Sequence, residues 1–175
     1  MWVNAVFAAG FPPFLAPANL PSTSAPLQLL HLTHITVDVG ALVTLGPTPQ
    51  GERRYVPLLG GVVQGPELNG TVLPGGFDWH LMRADGVLEI AAHYVICATD
   101  GSLIEVKSDG LRHGPPQVMA RLARGEAVGR DEYFFRTLMR FTTGAPAWAH
   151  LNQVMALAVG QRDAGRVLLD VYRIT

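Results

Sequence analysis

The sequence predicts an all-β protein, a single closed antiparallel β-barrel of eight to ten strands with one short α-helix near residues 116–124. Three observations carry that expectation. Short runs rich in β-branched and aromatic residues recur along the chain. The Asp-Gly pairs at 85–86, 100–101 and 109–110 fall between such runs at strand-length spacing, as hairpin turns do. Only one stretch has apolar residues at helical spacing. A strand set of this size closes most economically as a barrel, which removes exposed edges and can be filled by side chains or hold one small ligand.

Taken in order, Leu27 to Val39 reads as the first strand, with His31 and His34 three apart and so on opposite faces. Gly46 to Gly51 reads as a turn. Arg53 to Leu59 forms a second strand, bent or edge-placed by Pro57, and Val62 to Gln64 follows a Gly60-Gly61 kink. Phe77 to Arg83, Val87 to Ala98 and Leu103 to Ser108 are separated by the Asp-Gly turns, giving an antiparallel meander. Pro115-Pro116 opens the helix, Val118, Met119 and Leu122 share its apolar side, and Gly125 ends it. Glu132 to Thr143, Leu151 to Gly160 and Arg166 to Ile174 complete the strands.

The 175 residues suit one domain, expected over 27–175 behind an irregular extension over 1–26. The first eighteen residues are apolar but lack Lys and Arg and are broken by Pro12, Pro13 and Pro17. They therefore fail as a signal peptide and as a membrane span, and the protein is expected in the cytoplasm. A composition of 49% hydrophobic and 15% charged residues excludes a disordered chain. A net charge of −1 without a basic stripe argues against nucleic acid. The lone Cys97 excludes a disulfide framework, and the scattered histidines lack a metal-ligand pattern. No GxSxG elbow, lysine-bearing phosphate loop or dinucleotide fingerprint occurs, so neither metal nor cofactor is expected.

The glycine-dense stretch from Gly60 to His80 stands out, because glycines let backbone or ligand approach closely at a cost in chain entropy. Together with later residues it carries a resemblance. Gly65-Pro66, Leu68-Asn69-Gly70-Thr71, Pro74-Gly75-Gly76, Asp78-Trp79, Asp100-Gly101, Gly125-Glu126, Tyr133 to Thr137, and Trp148 with Leu151-Asn152 follow one another in order. That series resembles the bacterial and fungal family called domain of unknown function 3237, or uncharacterised protein family 0311, from about Leu29 to Ile174. The resemblance implies one antiparallel barrel of the calycin or allene-oxide-cyclase kind. His80 and His93 depart from the family pattern, which has glutamine and an arginine or similar polar residue there.

Asp78, between Phe77 and Trp79, is the first candidate for chemistry, either as a partly desolvated general base or as an acceptor that fixes the glycine loop. His80, two residues on, shares its strand face. Arg136 shares a face with Phe134 and Leu138, and reads either as an oxygen anchor in the lumen or as half of a buried ion pair with Asp78 or Glu105. Trp79, Tyr94, Tyr133 and Trp148 are candidate pocket walls or hydroxyl donors. Asn152 would offer an amide to a ligand or bond local backbone, and Glu105 would pair with Lys107 if their face turns inward. The leading expectation is a cofactor-free lyase, isomerase or cyclase. It would move protons on a small hydrophobic molecule, aromatic or polyketide-like, in the lumen. A non-catalytic calycin-like binding protein is the alternative, and a homodimerising structural module with a solid barrel is the third.

Overall fold

The computed structural model describes residues 26–175, so all but Pro26 of the expected amino-terminal extension lies outside the described residues. Among the described residues ten strands are present: β1 Leu29–Val39, β2 Val43–Thr48, β3 Gly51–Gln64, β4 Gly70–Val72, β5 Phe77–Met82, β6 Leu88–Ala98, β7 Leu103–His113, β8 Phe134–Thr142, β9 Met155–Asp163 and β10 Arg166–Ile174. One α-helix, α1 Pro116–Ala123, links β7 to β8, and a 3-10 helix, Pro146–Gln153, links β8 to β9.

The sheet runs β1-β10-β9-β8-β7-β6 and returns through β4 and β5 to β3, which pairs with β1 and closes the barrel. β4 pairs with the last part of β3 and β5 with its first part, and both pair with β6. The two therefore make one interrupted stave, and the closed barrel has eight staves. β2 folds back on the free flank of β3. All pairings are antiparallel, as the meander predicts.

Alternation decides what lies inside. Ile90, Tyr94 and Ile96 on β6, Ile104, Val106 and Ser108 on β7, and Phe135, Thr137, Met139 and Phe141 on β8 are buried, while their strand neighbours face out. Opposite these large groups β9 presents Ala156 and Ala158, so the interior fills without crowding. One end is plugged by Leu151 of the 3-10 helix and by Leu68 of the β3–β4 loop, both fully buried. The Thr33 hydroxyl donates to the Leu68 carbonyl at 2.8 Å and ties that loop to β1. The other end is covered by α1, which buries Val118 and Leu122.

Four local expectations change. Asp109-Gly110 is not a turn; β7 continues through it to His113, paired on both sides. A Cβ at Gly110 would stand 2.2 Å from the Arg136 carbonyl oxygen, so glycine there serves close strand approach. Leu151 to Gln153 is 3-10 helix, not strand. Gly46 to Thr48 belongs to β2. A bulge at Leu32 shifts the phase of β1, so His31 and His34 sit on the same, outer face, opposite Tyr172 and Asp170.

Candidate active site

The site begins with the break in the interrupted stave. Pro74-Gly75-Gly76 lets the chain leave β4 and restart as β5: Gly75 has φ +103°, and a Cβ on Gly76 would meet that of Tyr94 at 2.7 Å. The Gly76 carbonyl accepts from Leu58 N–H at 2.8 Å, which fixes the start of β5 against β3. From there alternation sends Asp78 and His80 inward, at 9% and 6% exposure, across from Val56 and Arg54 of β3. His80 Nε2 lies 2.9 Å from Asp78 Oδ2. A carboxylate accepts only, so in the neutral imidazole this contact selects the tautomer with the proton on Nε2 and the lone pair on Nδ1.

Around this dyad the inner ends of three other strands contribute arginines. Arg54 lies on β3, Arg112 near the end of β7, and Arg162 near the end of β9. With His80 they line a cavity of about 460 Å³ at the α1 end of the barrel, walled otherwise by Leu42, Val56, Met82, Met119 and Leu122. That volume falls within the range of small-molecule sites, about 300–1,000 Å³. Among the described residues, the buried side-chain polar atoms without a protein partner are Arg54 Nε, Asp78 Oδ1, His80 Nδ1, Tyr94 OH and Arg112 Nε. All five belong to lumen-facing residues. Buried polar groups are ordinarily satisfied by protein or by ordered water, so these five are the atoms with hydrogen-bonding capacity to spare for water or a ligand.

Electrostatics agree. Burial pushes Arg112 down to about 10, against the opposing pull of Asp78, and it stays charged at neutral pH. Burial likewise lowers Arg162, opposed by Asp163 and Asp78. Burial, reinforced by the Asp78 charge, pushes the Tyr94 hydroxyl up, so that it is a proton donor and not a phenolate. The Tyr133 hydroxyl accepts from Arg162 backbone N–H at 2.8 Å and pins β9 beside the cavity.

The sequence matches, over residues 27–174, the family described as protein of unknown function (DUF3237). This chain belongs to the DUF3237 family. A UPF0311 protein of Rhodopseudomonas palustris is 35% identical over 148 residues, covering 85% of this chain and 97% of the relative. The crystal structure of a conserved protein of unknown function from the same organism superposes with a TM-score of 0.84 at 34% identity, covering 87% of this chain and 100% of the other. An enzyme from Penicillium herquei shares the fold, with a TM-score of 0.66 at 22% identity over 89% of this chain and 100% of its own.

Within this DUF3237 barrel the expected site residues divide. Asp78, His80, Tyr94 and Tyr133 come together at or beside the lumen. Arg136 does not: it is on the outer face, its Nη1 donating to the Phe135 carbonyl at 2.9 Å and its guanidinium 5.3 Å from the Phe134 ring. Its face was read correctly as that of Phe134 and Leu138, but that face is the exposed one. Trp79 is also outside, packed on Tyr55 at 5.0 Å with Arg53 over its ring, because alternation forbids it the face of Asp78. Glu105 faces out and meets His93 at 2.6 Å and Lys107 at 3.6 Å. Trp148 lies on the 3-10 helix at the plugged end, its Nε1 donating to Asp100 at 2.9 Å. Asn152 bonds both the N–H and the carbonyl of Thr143, at 2.8 and 3.0 Å, and so fixes a turn.

The three lumen arginines are not among the residues expected from the sequence, although alternation carries a signal for each. Arg54 is in phase with Val56 and Leu58, Arg162 with Ala156, Ala158 and Gly160, and Arg112 with Ile104, Val106 and Ser108. Cutting β7 at Asp109-Gly110 hid the last of these. Among the described residues no helix is long and apolar enough to cross a membrane.

Proposed function

We propose that this protein is an acid–base enzyme of the lyase, isomerase or cyclase type. It uses its own side chains to move a proton on a small, largely apolar molecule held in the cavity at the α1 end. The observation that carries this reading is the hydrogen-bonded Asp78–His80 pair, buried in the lumen with one nitrogen and one oxygen unpartnered. Asp78 holds the imidazole in the tautomer whose Nδ1 accepts a proton, and the resulting imidazolium returns that proton later in the reaction. Asp78 itself is then a positioning residue, which shifts the base from the carboxylate to His80. Oxygen charge that develops on the substrate meets the lumen arginines and the Tyr94 hydroxyl.

Native mass spectrometry of the purified protein, before and after mild denaturation, identifies a retained small molecule. Deuterium exchange into its acidic C–H positions then reports proton transfer. His80→Gln should lose about 10²–10⁴-fold in that exchange, as general-base removal does, while still retaining the molecule. Exchange at the wild-type rate in His80→Gln would remove His80 as the base, and wild-type exchange no faster than in free solution would refute the enzyme reading and leave a calycin-like binding protein.

A further inference from the structure

We propose that the molecule held in this cavity is a carboxylate with an apolar body, and that Arg54 and Arg112 are the side chains that grip it. The proposal rests on the reading of this cavity as the ligand site, and on no catalytic step.

Charge balance comes first. Among the described residues three guanidinium groups, of Arg54, Arg112 and Arg162, face the same lumen end as one buried carboxylate, Asp78, with Glu52 half exposed at the rim, and one oxygen of Asp78 is engaged by His80. The three are not equivalent. Arg162 has its Nη1 committed to the carbonyls of Asp163 and Arg166, at 2.8 and 2.7 Å, so it supplies field and not a free fork. Arg54 lies 4.0 Å from Glu52, two residues earlier on the same strand face, but that carboxylate sits half exposed at the rim and accepts from the Thr44 hydroxyl. Arg112 makes no hydrogen bond or ion pair among the described residues; it lies 5.8 Å from the Phe135 ring. The Nε atoms of both Arg54 and Arg112 are shielded from solvent with nothing to donate to.

A desolvated guanidinium without an anion is costly, and its planar fork matches a carboxylate in bidentate fashion. The rest of the wall chooses the body of that anion. Leu42, Val56, Met82, Met119 and Leu122 offer only apolar surface. A small polar anion would leave that surface unfilled, and a neutral apolar molecule would leave both forks unpaired. A carboxylic acid with a hydrocarbon or aromatic body satisfies both.

Benzoate and its neutral isostere benzamide, titrated into the full chain by calorimetry, separate these cases. Benzoate should bind at least tenfold more tightly than benzamide, and Arg112→Met should remove at least tenfold of the benzoate affinity while leaving benzamide unchanged. Asp78→Asn, which deletes the opposing charge, should tighten benzoate. Should Arg112→Met fail to fold, Arg54→Gln carries the same expectation, and the wild-type comparison of the two probes needs no variant. Benzoate that fails to bind, binds no better than benzamide, or is indifferent to both arginine variants overturns the proposal. The two readings fail separately. Wild-type proton exchange no faster than in free solution, with benzoate binding intact, removes the acid–base chemistry and keeps the anion site. Lost exchange in His80→Gln with no preference for benzoate does the reverse.

Discussion

The two ends of the barrel are built from the same strands and obey the same alternation, yet they are finished in opposite ways. At the 3-10 helix end the inward positions are Ile96, Ile104, Phe141 and the plugging Leu151 and Leu68, and the polar side chain buried there, Thr33, is satisfied by the Leu68 carbonyl. At the α1 end the inward positions become Arg54, His80, Arg112 and Arg162, with Asp78 one step deeper. The contrast teaches a division of labour along one axis. Apolar burial at one end holds the staves together, which lets the other end keep polar groups that lack partners and so add little or nothing to stability.

That division can be broken most sharply at Leu151. Leu151→Ala should cost about 2–5 kcal/mol, the usual range for an emptied core leucine site, measured by urea unfolding. A cost below about 1 kcal/mol would mean the plug is not where stability resides. The complementary change is Arg112→Met. In the ligand-free protein it should leave stability within about 1 kcal/mol of wild type or raise it, since a partnerless buried charge is replaced by an apolar chain of similar length. A large loss there would show that the polar end is structural after all.

A smaller contrast, between inside and outside, is set by Asp170 on the outer face of β10. Its carboxyl is held below its ordinary range: partial burial alone would raise it, but hydrogen bonds from His34, at 2.7 Å, and from Arg130 outweigh that. Because the folded-state value lies below the unfolded one, this stabilisation is present above the unfolded pKa of about 3.9 and is lost as pH falls through the folded value. Asp170→Asn should therefore be less stable than wild type at neutral pH by about 1 kcal/mol or less, and the two unfolding curves should converge in acid. Curves that stay parallel down to about pH 2 would remove the carboxylate from the account.

The fold was legible because turns and alternation are local. Asp85-Gly86 and Asp100-Gly101 both place glycine at positive φ between paired strands, as hairpin chemistry requires. Asp109-Gly110 carries the same letters in mid-strand, where flanking strands on both sides decide and local propensity does not. The site was half legible for a related reason. Alternation gives which residues share a face but not which face is inward. Alternation groups Asp78 with His80, and Arg136 with Phe134 and Leu138, but Arg136 neither reaches the lumen nor joins a buried ion pair, because its face is the outer one. Trp79 could not have shared the lumen with Asp78 under the same rule. Inward polarity comes from closure of the whole sheet, through the pairing of β1 with β3, which no short window of sequence contains.

The plug formed by Leu151 and Leu68 also governs traffic. A chamber sealed at its floor is a blind alley: under the proposed function, a molecule that reaches His80 leaves past the residues at the α1 end, such as Leu42 and Gly86, by the way it came. On that reading arrival and departure share one doorway, so a product lingering there would hold the next substrate outside, and the residues framing the doorway would set the tempo for both.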